Sequence, residues 1–256
     1  MKNDQTLIQQ QNKAIEYVKS LEIPEFRGKD DNRGTSIAST GEDEAGFVDA
    51  GSLTSFVAGL TITHKEDTLN STLLAQLAAN KLYNREKQTK EWYTKYHEVL
   101  ENVGWVISGF QFTEYETEAS SFTVEKVIIE ILAAIATQSE ILIAIKMLEA
   151  LKKAGEDSKP FQIWNGSSHD ASNGNFQIGT CLESDSNVAM ALGAFHFEAT
   201  EVKSNFLWFN YARTSIKVYK ASQQVVLNEG VYATVRQMIK EKLGSNAQNY
   251  VANLDI

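Results

Sequence analysis

The only thiol of this 256-residue chain, Cys181, is the residue best suited by type to nucleophilic or covalent chemistry. A cysteine nucleophile needs a nearby base that keeps it ionised, and no neighbour of Cys181 in the sequence supplies one. Glu183 and Asp185 would instead raise the pKa of the thiol if they lie close to it. Three interpretations stay open: a buried inert thiol, a thiol that carries a covalent modification, and a nucleophile of the cysteine-protease type.

The four histidines do not form a recognisable metal site. His97 is predicted to lie on a helix, but no second histidine lies one turn away, which excludes the zinc-protease pattern. His169 lies in a polar loop that could hold a ligand or simply be solvated. His196 alternates with residues of mixed polarity and is predicted to be a structural or solvent-facing residue of a strand. We therefore predict no metal ion.

Sequence signatures of the common enzyme classes are also missing. The chain contains no phosphate-binding loop, no glycine-rich turn of the dinucleotide-binding type and no serine elbow. Its carboxylate pairs do not have a spacing that is diagnostic of glycosidases. We predict a protein with no catalytic residues and no bound cofactor.

The charge balance argues against nucleic acid as a partner. The chain has 24 basic and 33 acidic residues, a formal net charge of −9, whereas nucleic-acid binders carry a basic surface. An anionic membrane would repel this surface too, unless apolar or lipid contacts compensate. Because the chain has one cysteine, it has no disulfide framework. A hydrophobic content of 43% is that of an ordinary folded globule.

The sequence predicts neither a signal peptide nor a membrane-spanning helix. The first ten residues lack the apolar core of a signal peptide. The most apolar stretch, Val127 to Leu151, is interrupted by Glu130, Glu140 and Lys146 and is too broken to span a bilayer. We expect synthesis in the cytoplasm without a signal peptide. Action outside the cell would then require a specialised export route or lysis, followed by association with a membrane.

Helical periodicity dominates the first half of the chain. Residues Thr6–Leu21 are predicted to form a short amphipathic helix that Pro24 ends. The polar, glycine-punctuated segment 27–45 is predicted to be a linker, so that residues 1–45 form a helix and linker and residues 46–256 a single domain. Further predictions are helices at Ala50–Thr63, Leu69–Leu82 and Asn84–Val103, a strand at Trp105–Tyr115, and a helical hairpin at Thr123–Ala154 with a break near Thr137.

Strand patterns dominate the second half, before a last helix at Glu229–Leu243. Sequential helices cannot bury their apolar faces alone and must pack on the sheet. The sequence therefore predicts an α+β fold with three layers, α/β/α, in which helices cover both faces of an antiparallel sheet of about five strands. The predicted strands are Phe161–Trp164, Phe176–Leu182, Val188–Val202 and Phe206–Tyr219, the last two forming a long hairpin.

The length of this hairpin is unusual. At about 3.3 Å per residue its strands would reach ~45 Å, more than a tilted strand needs to cross a bilayer. Insertion would require Lys203 and Asn205 at the tip to cross the membrane, and Arg213 and Lys217 to face water. The alternative is a long, twisted hairpin in a stable sheet.

The order of these elements resembles that of a known group of bacterial proteins. The β-rich half contains Phe161-Gln162-Ile163-Trp164 and the segment Asn175-Phe176-Gln177-Ile178-Gly179-Thr180-Cys181. With the helical pairs before it and the long hairpin and helix after it, the chain resembles the Erwinia virulence factor (Evf) group. The fold of that group is related to the Cyt δ-endotoxins and to the mushroom toxin volvatoxin.

The resemblance implies a palmitoyl thioester on the single cysteine, here Cys181, with the acyl chain in an apolar cavity. A buried acyl chain gains about 0.8 kcal/mol per methylene. The leading hypothesis is a virulence-factor or toxin-like protein that acts at a lipid or membrane surface, as a monomer or an oligomer. The alternative is a soluble module that binds an apolar small ligand or a protein partner. Residues predicted to line the cavity or face the membrane are Val188, Met190, Leu192, Phe195, Phe197, Phe206 and Trp208.

Overall fold

A computed structural model of the protein describes residues 2–24, 41–109, 111–185, 187–244 and 246–256. The helices are α1 (Lys2–Ser20), α2 (Ile62–Leu82), α3 (Thr89–Val103), α4 (Val124–Ala133), α5 (Gln138–Ala154), α6 (Lys159–Ser168), α7 (Glu229–Leu243) and α8 (Asn246–Tyr250). The strands are β1 (Ala45–Asp49), β2 (Ser52–Phe56), β3 (Trp105–Val106), β4 (Thr113–Glu114), β5 (Ser121–Phe122), β6 (Asn173–Ser184), β7 (Asn187–Ala199), β8 (Tyr211–Ala212), β9 (Ile216–Leu227) and β10 (Val251–Leu254).

Eight strands form the main sheet, in the order β10-β1-β2-β6-β7-β9-β3, with β4 also paired to β9. All of these pairs are antiparallel except β2 with β6, which is parallel. The prediction of about five antiparallel strands was therefore too low in number and missed the parallel pair. The additional strands are short, and β1 and β2 are buried along their whole length, so they lack the alternation that identifies a strand.

Helices cover both faces of this sheet, which confirms the α+β class with three layers. One core joins the sheet to α1, α2, α3 and α7, and we call this side the α2 face. A second core joins the sheet to α4, α5 and α6, and we call this side the α5 face. Successive side chains of a strand point to opposite faces. Thus Phe176 and Ile178 of β6 lie in the α5-face core, and Cys181 lies in the α2-face core.

Local capping signals place the helix ends where the sequence predicts them. Helix α3 ends at Gly104, whose φ of 118° is the left-handed conformation that glycine adopts most readily. The predicted break in the helical hairpin is a capping box, in which Thr137 and Glu140 each bond the other's backbone amide. The last helix begins and ends at the predicted residues. Asn228 caps its first turn, and Gly244 follows its last residue.

Two segments adopt the opposite secondary structure from the prediction. Residues 50–63, predicted as a helix, contain β2 and the first residues of α2. Residues 161–164, predicted as a strand, lie in α6, where Ser158 caps the helix and Pro160 occupies its first turn. Both segments are short apolar runs, for which periodicity does not distinguish a buried strand from a buried helix. The strand predicted at 105–115 is present only as β3 and β4.

The long hairpin is present with different boundaries. Strands β7 and β9 pair over eleven residues, from Ala189 with Val226 to Ala199 with Ile216. The second strand thus begins ten residues later than predicted. The aromatic run that begins at Phe206 belongs to a turn, with a hydrogen bond from the Phe206 amide to the Lys203 carbonyl, and it packs on the α5 face.

The predicted linker lies mainly outside the described residues, which resume at Gly41. The acidic side chains of Glu42, Asp43 and Glu44 are exposed, and β1 begins at Ala45. Helix α1 contacts α7 and α3, for example through a bond of 2.8 Å from Gln11 Nε2 to the Gly230 carbonyl. The division into residues 1–45 and 46–256 stays a prediction. Within the described residues, no helix combines the length and apolar character needed to cross a membrane.

Candidate functional site

Helix α2 is buried on every side, although it is rich in polar residues. All residues from His64 to Ala79 are buried, because the sheet lies on one side of the helix and α3 and α7 lie on the other. Buried polar groups are costly unless they are hydrogen-bonded. The polar residues in this stretch are His64, Lys65, Glu66, Asp67, Thr68, Asn70, Ser71, Thr72 and Gln76.

One set of these residues bonds directly to the first strands. The hydroxyl of Thr72 lies 2.6 Å from Asp49 Oδ2, and Gln76 Nε2 donates to the Asp49 carbonyl at 2.9 Å. Gln76 Oε1 accepts from the Gly51 amide at 3.0 Å and from Arg85 Nη1 at 3.2 Å. These contacts attach the middle of α2 to the β1–β2 hairpin.

Arg85 extends the network to β6. Its Nη2 donates to the Gly51 carbonyl at 3.1 Å and to Gln177 Oε1 at 2.9 Å. Gln177 Nε2 in turn donates to the Tyr93 hydroxyl at 2.6 Å. The guanidinium also lies 4.5 Å from the centre of the Trp92 ring, a cation–π contact. We call Asp49, Thr72, Gln76, Arg85 and Gln177 the inner polar network.

The inner polar network is not fully satisfied. Within the described part of the chain, Asp49 Oδ1, Arg85 Nε and the Tyr96 hydroxyl have no hydrogen-bond partner and are buried. Burial raises the pKa of Asp49 to about 8, although Thr72 and Arg85 oppose the rise. Asp49 is therefore protonated at neutral pH, and Arg85 is a buried cation with no ionised carboxylate directly bonded to it.

Replacement of Asp49 by asparagine is expected to make the stability of the protein less dependent on pH. The folded state holds the Asp49 proton up to about pH 8, and the unfolded state releases it near its ordinary pKa of about 3.9. Stability from this group is therefore present at low pH and is lost as pH rises through that interval, by at most about 1.4 kcal/mol per pH unit. Urea unfolding of wild type and Asp49→Asn across the interval measures the difference. A constant difference between the two proteins would contradict the prediction.

A second set of charged groups surrounds the start of α2. Arg236 of α7 binds both oxygens of Asp67, with Nε 2.8 Å from Oδ1 and Nη2 2.7 Å from Oδ2, and it also binds Glu229 Oε1 at 2.6 Å. His64 Nδ1 lies 2.9 Å from Glu183 Oε2, and His64 Nε2 lies 3.6 Å from Glu229 Oε2. We call these five residues the outer charged cluster. It joins α2, α7 and the end of β6.

The electrostatics of the outer charged cluster follow from burial and pairing. Burial raises the pKa of Asp67, and the Arg236 guanidinium opposes that rise. Hydrogen bonds to Asp67 raise the pKa of Arg236, so this side chain stays charged. Burial alone would raise the pKa of Glu183, but the Thr61 amide and His64 hold it below its usual range.

Cys181 lies on the α2 face between the two polar sets. Its side chain is wholly buried, its backbone pairs with Phe56 and Met190, and its thiol lies beside the Thr68 hydroxyl of α2, which itself donates to the His64 carbonyl. Burial, and then the charge of Glu140, raise the pKa of the thiol well above its usual range. A raised thiol pKa is what the sequence predicts, but its cause is burial and Glu140 rather than Glu183 or Asp185. A protonated, inaccessible thiol is a weak nucleophile.

The sheet separates the residues predicted to face lipid into two groups. Val188, Met190 and Leu192 lie on the α2 face with Cys181. The remaining four, Phe195, Phe197, Phe206 and Trp208, pack on the α5 face. Only the first group can therefore surround a chain attached to Cys181 without crossing the sheet. The assignment of all seven residues to a lipid surface stays a prediction.

The aromatic density of the β half belongs largely to the α5-face core. The rings of Phe176 and Phe195 are stacked with centroids 5.1 Å apart, and Phe206 lies 5.1 Å from Phe197 and 6.0 Å from Trp164. Core packing accounts for rings in mutual contact at these distances.

The structure gives the histidines different surroundings. His169 contacts the side chain of Asn165 and the carbonyl of Asp170, and His196 stacks on Tyr219. Burial lowers the pKa of His97 to about 4, so this residue is neutral. Of the four histidines, only His64 lies among several carboxylates, and no functional role was predicted for it from the sequence. Its spacing of three residues from Asp67 on a helix is the signal that could have indicated a shared site.

Comparisons with known proteins give likenesses of fold only. No protein-family model and no curated protein matches the sequence. The structure is similar to that of a delta-endotoxin, with a TM-score of 0.42 and 14% sequence identity over 80% of this chain and 90% of the endotoxin. It is also similar to the Evf virulence factor, with a TM-score of 0.36 and 13% identity over 70% of this chain and 74% of that one. These are a toxin and a virulence factor of the two kinds that the sequence resemblance named, and neither likeness identifies an activity or a site in this chain.

Proposed function

We propose that the protein is a toxin-like or virulence protein that acts at membranes, without catalytic turnover, by separating α2 from the sheet. One observation carries the proposal: besides its apolar contacts, α2 is attached to the sheet by a stripe of polar contacts, whereas the α5 face is held by packed aromatic rings. The stripe consists of Thr68, which lies beside Cys181, and of Thr72 and Gln76, which bond to Asp49 and the Gly51 amide.

The two kinds of contact differ in what their loss costs. A buried hydrogen bond contributes only about 0.5–1.5 kcal/mol net, because water offers the same groups new partners. Exposure of a large buried apolar side chain costs about 1.5–3 kcal/mol, with no such compensation. Breaking the polar stripe is therefore cheap per contact. The apolar side chains of the same interface would be compensated by contact with lipid, so α2 is the layer expected to move at a membrane.

Separation of α2 would expose a continuous apolar strip of the sheet. On the α2 face, Cys181 of β6 lies opposite Met190 of β7, which lies opposite Val225 of β9. Val188 and Leu192 flank Met190 on the same face. These apolar side chains suit a lipid surface, and three of them were predicted to face one.

The strands that carry this strip are long enough to reach through a membrane. β6, β7 and β9 contain 12, 13 and 12 residues. At about 3.3 Å per residue they extend ~40 Å, and the hydrocarbon core of a bilayer is about 30 Å thick.

Release of a trapped dye from liposomes tests the proposal. We expect leakage that rises with protein concentration and that is faster from zwitterionic than from anionic vesicles, because the net charge of −9 opposes approach to an anionic surface. Raising the salt concentration should reduce the difference between the two compositions. Absence of leakage from both kinds of vesicle would overturn the proposal.

Acylation of Cys181 is a separate, finer part of the proposal. Because the thiol is buried beneath Thr68 and protonated, an acyl group would have to be attached before α2 closes over the sheet. Intact mass of protein from its native source, before and after hydroxylamine, tests this. We expect an increment of one palmitoyl group that hydroxylamine removes and that Cys181→Ser lacks. An unmodified mass would reject the lipid and leave the leakage prediction standing.

A further inference from the structure

We propose that the outer charged cluster is a binding site for a divalent transition-metal ion such as Zn²⁺, with His64, Asp67 and Glu229 as its ligands. The inference goes beyond the proposed function and does not depend on it. One ligand atom from each of the three residues lies within 4.8 Å of those of the other two. Because two of the ligands are on α2 and one is on α7, a bound ion would hold these helices together.

The distances suit a single ion. Zn²⁺ binds imidazole nitrogen and carboxylate oxygen at about 2.0–2.2 Å, which places neighbouring ligands of a tetrahedral site ~3.3 Å apart. His64 Nε2 and Glu229 Oε2 are separated by 3.6 Å. This distance is too long for a good hydrogen bond, and it is close to the separation of two ligands that share an ion.

A buried carboxylate oxygen faces the site without a hydrogen bond from any described residue. In the described part of the chain, Glu229 Oε2 is buried and forms no hydrogen bond. His64 is only 8% exposed, and its Nε2 points to that oxygen. A buried carboxylate oxygen that has no hydrogen bond and faces an imidazole nitrogen is satisfied by a cation or a proton between the two.

The charge of the cluster also favours a cation. Asp67, Glu183 and Glu229 supply three negative charges and Arg236 one positive charge, an excess of −2 when His64 is neutral. The nearby Glu66 and Lys240 form their own pair at 2.6 Å and cancel. Arg236 occupies both Asp67 oxygens and Glu229 Oε1 on one side, so the free Oε2 marks the side on which an ion would bind.

Glu183 supplies the outer contact that metal-binding histidines commonly have. Its Oε2 lies 2.9 Å from His64 Nδ1, and the other ring nitrogen faces Glu229. The carboxyl is itself fixed by a bond of 3.0 Å from the Thr61 amide. Removal of such an outer partner weakens metal affinity about 10- to 100-fold.

Zn²⁺ binding to the full chain, produced without a histidine tag, tests the site. We expect one ion per chain by calorimetry and a rise in the thermal midpoint with Zn²⁺ concentration. His64→Gln and Glu229→Gln should each abolish both effects, and Glu183→Gln should weaken affinity by about 10- to 100-fold at unchanged stoichiometry. His196→Gln is the matched control, because its ring faces one carboxylate, Glu198, at 3.8 Å, and it should bind as wild type does.

Three results would overturn the proposal. The first is that the wild-type chain takes up no Zn²⁺. The second is that His64→Gln and Glu229→Gln bind Zn²⁺ with unchanged affinity. The third is that Mg²⁺ stabilises the protein as strongly as Zn²⁺, which a site with an imidazole ligand does not allow. Since the Glu229 side chain is 39% exposed, its replacement tests the site even where the change at His64 impairs folding.

Discussion

Thr68→Cys is expected to abolish membrane leakage under oxidising conditions and to restore it when a reductant is added. The Thr68 side chain lies beside the Cys181 thiol, so a cysteine at position 68 places a second sulfur close to the native one. A disulfide between them would fasten α2 to β6. If α2 must leave the sheet, leakage should fall to the background rate of vesicles alone, and reduction should return it to the wild-type rate.

The controls separate the disulfide from the substitution. The double variant Thr68→Cys, Cys181→Ser cannot form the bond and should leak at the same rate with and without reductant. Free thiols counted in denatured protein give the fraction that is disulfide-bonded. Full leakage from a preparation whose two sulfurs are bonded would show that α2 does not need to move, and the proposed mechanism would then be wrong.

Arg236→Gln is expected to destabilise the protein by about 3–5 kcal/mol, because it leaves a buried carboxylate without its counter-ion. Asp67 is wholly buried, and Arg236 provides three hydrogen bonds to it from a helix 169 residues later in the chain. The loss is measured as the free energy of unfolding in urea. Arg236→Lys keeps the charge without the paired geometry and should lie between wild type and Arg236→Gln.

An exposed arginine provides the comparison. Arg213 is exposed and donates to the Thr117 carbonyl at 3.0 Å. Its replacement by glutamine should change stability by less than about 0.5 kcal/mol, as is usual for surface positions. Equal effects at the two arginines would mean that the Asp67–Arg236 pair does not hold α2 and α7 together.

The helices were the most predictable part of the fold. Helices α3, α5 and α7 have apolar residues at helical spacing and ends set by neighbouring residues, such as Gly104, Thr137 and Asn228. Both signals act over a few residues and so can be read without the tertiary structure. The α+β class and the three layers followed from the number of apolar helix faces that a sheet must cover.

The β1–β2 region was not predictable in this way. Leu53, Phe56 and Val57 have a spacing that fits a helix, yet Leu53 and Phe56 lie in a strand whose two faces meet different cores. This strand pairs with β6, and its neighbour β1 pairs with β10; both partners come more than a hundred residues later. No local pattern reports that pairing.

The candidate site was only partly foreseen. Cys181 was identified from its residue type, but its burial and its contact with Thr68 depend on α2 lying over the sheet. The inner polar network was missed because polar residues on a helix are normally interpreted as a solvated face. The role of Asp49 depends on burial, which raises its pKa to about 8 and which the sequence does not report.

Local patterns and composition were enough to predict the fold class, the ends of the last helix, the break in the helical hairpin, the single thiol and the acidic net charge. These properties depend on composition and on interactions within a few turns of the chain. The tertiary structure alone decided which polar residues are buried and which charges meet, as in the pairing of Asp67 with Arg236 and of His64 with Glu183. Such contacts join residues more than a hundred positions apart, and their energies depend on burial, which exists only after the layers have packed.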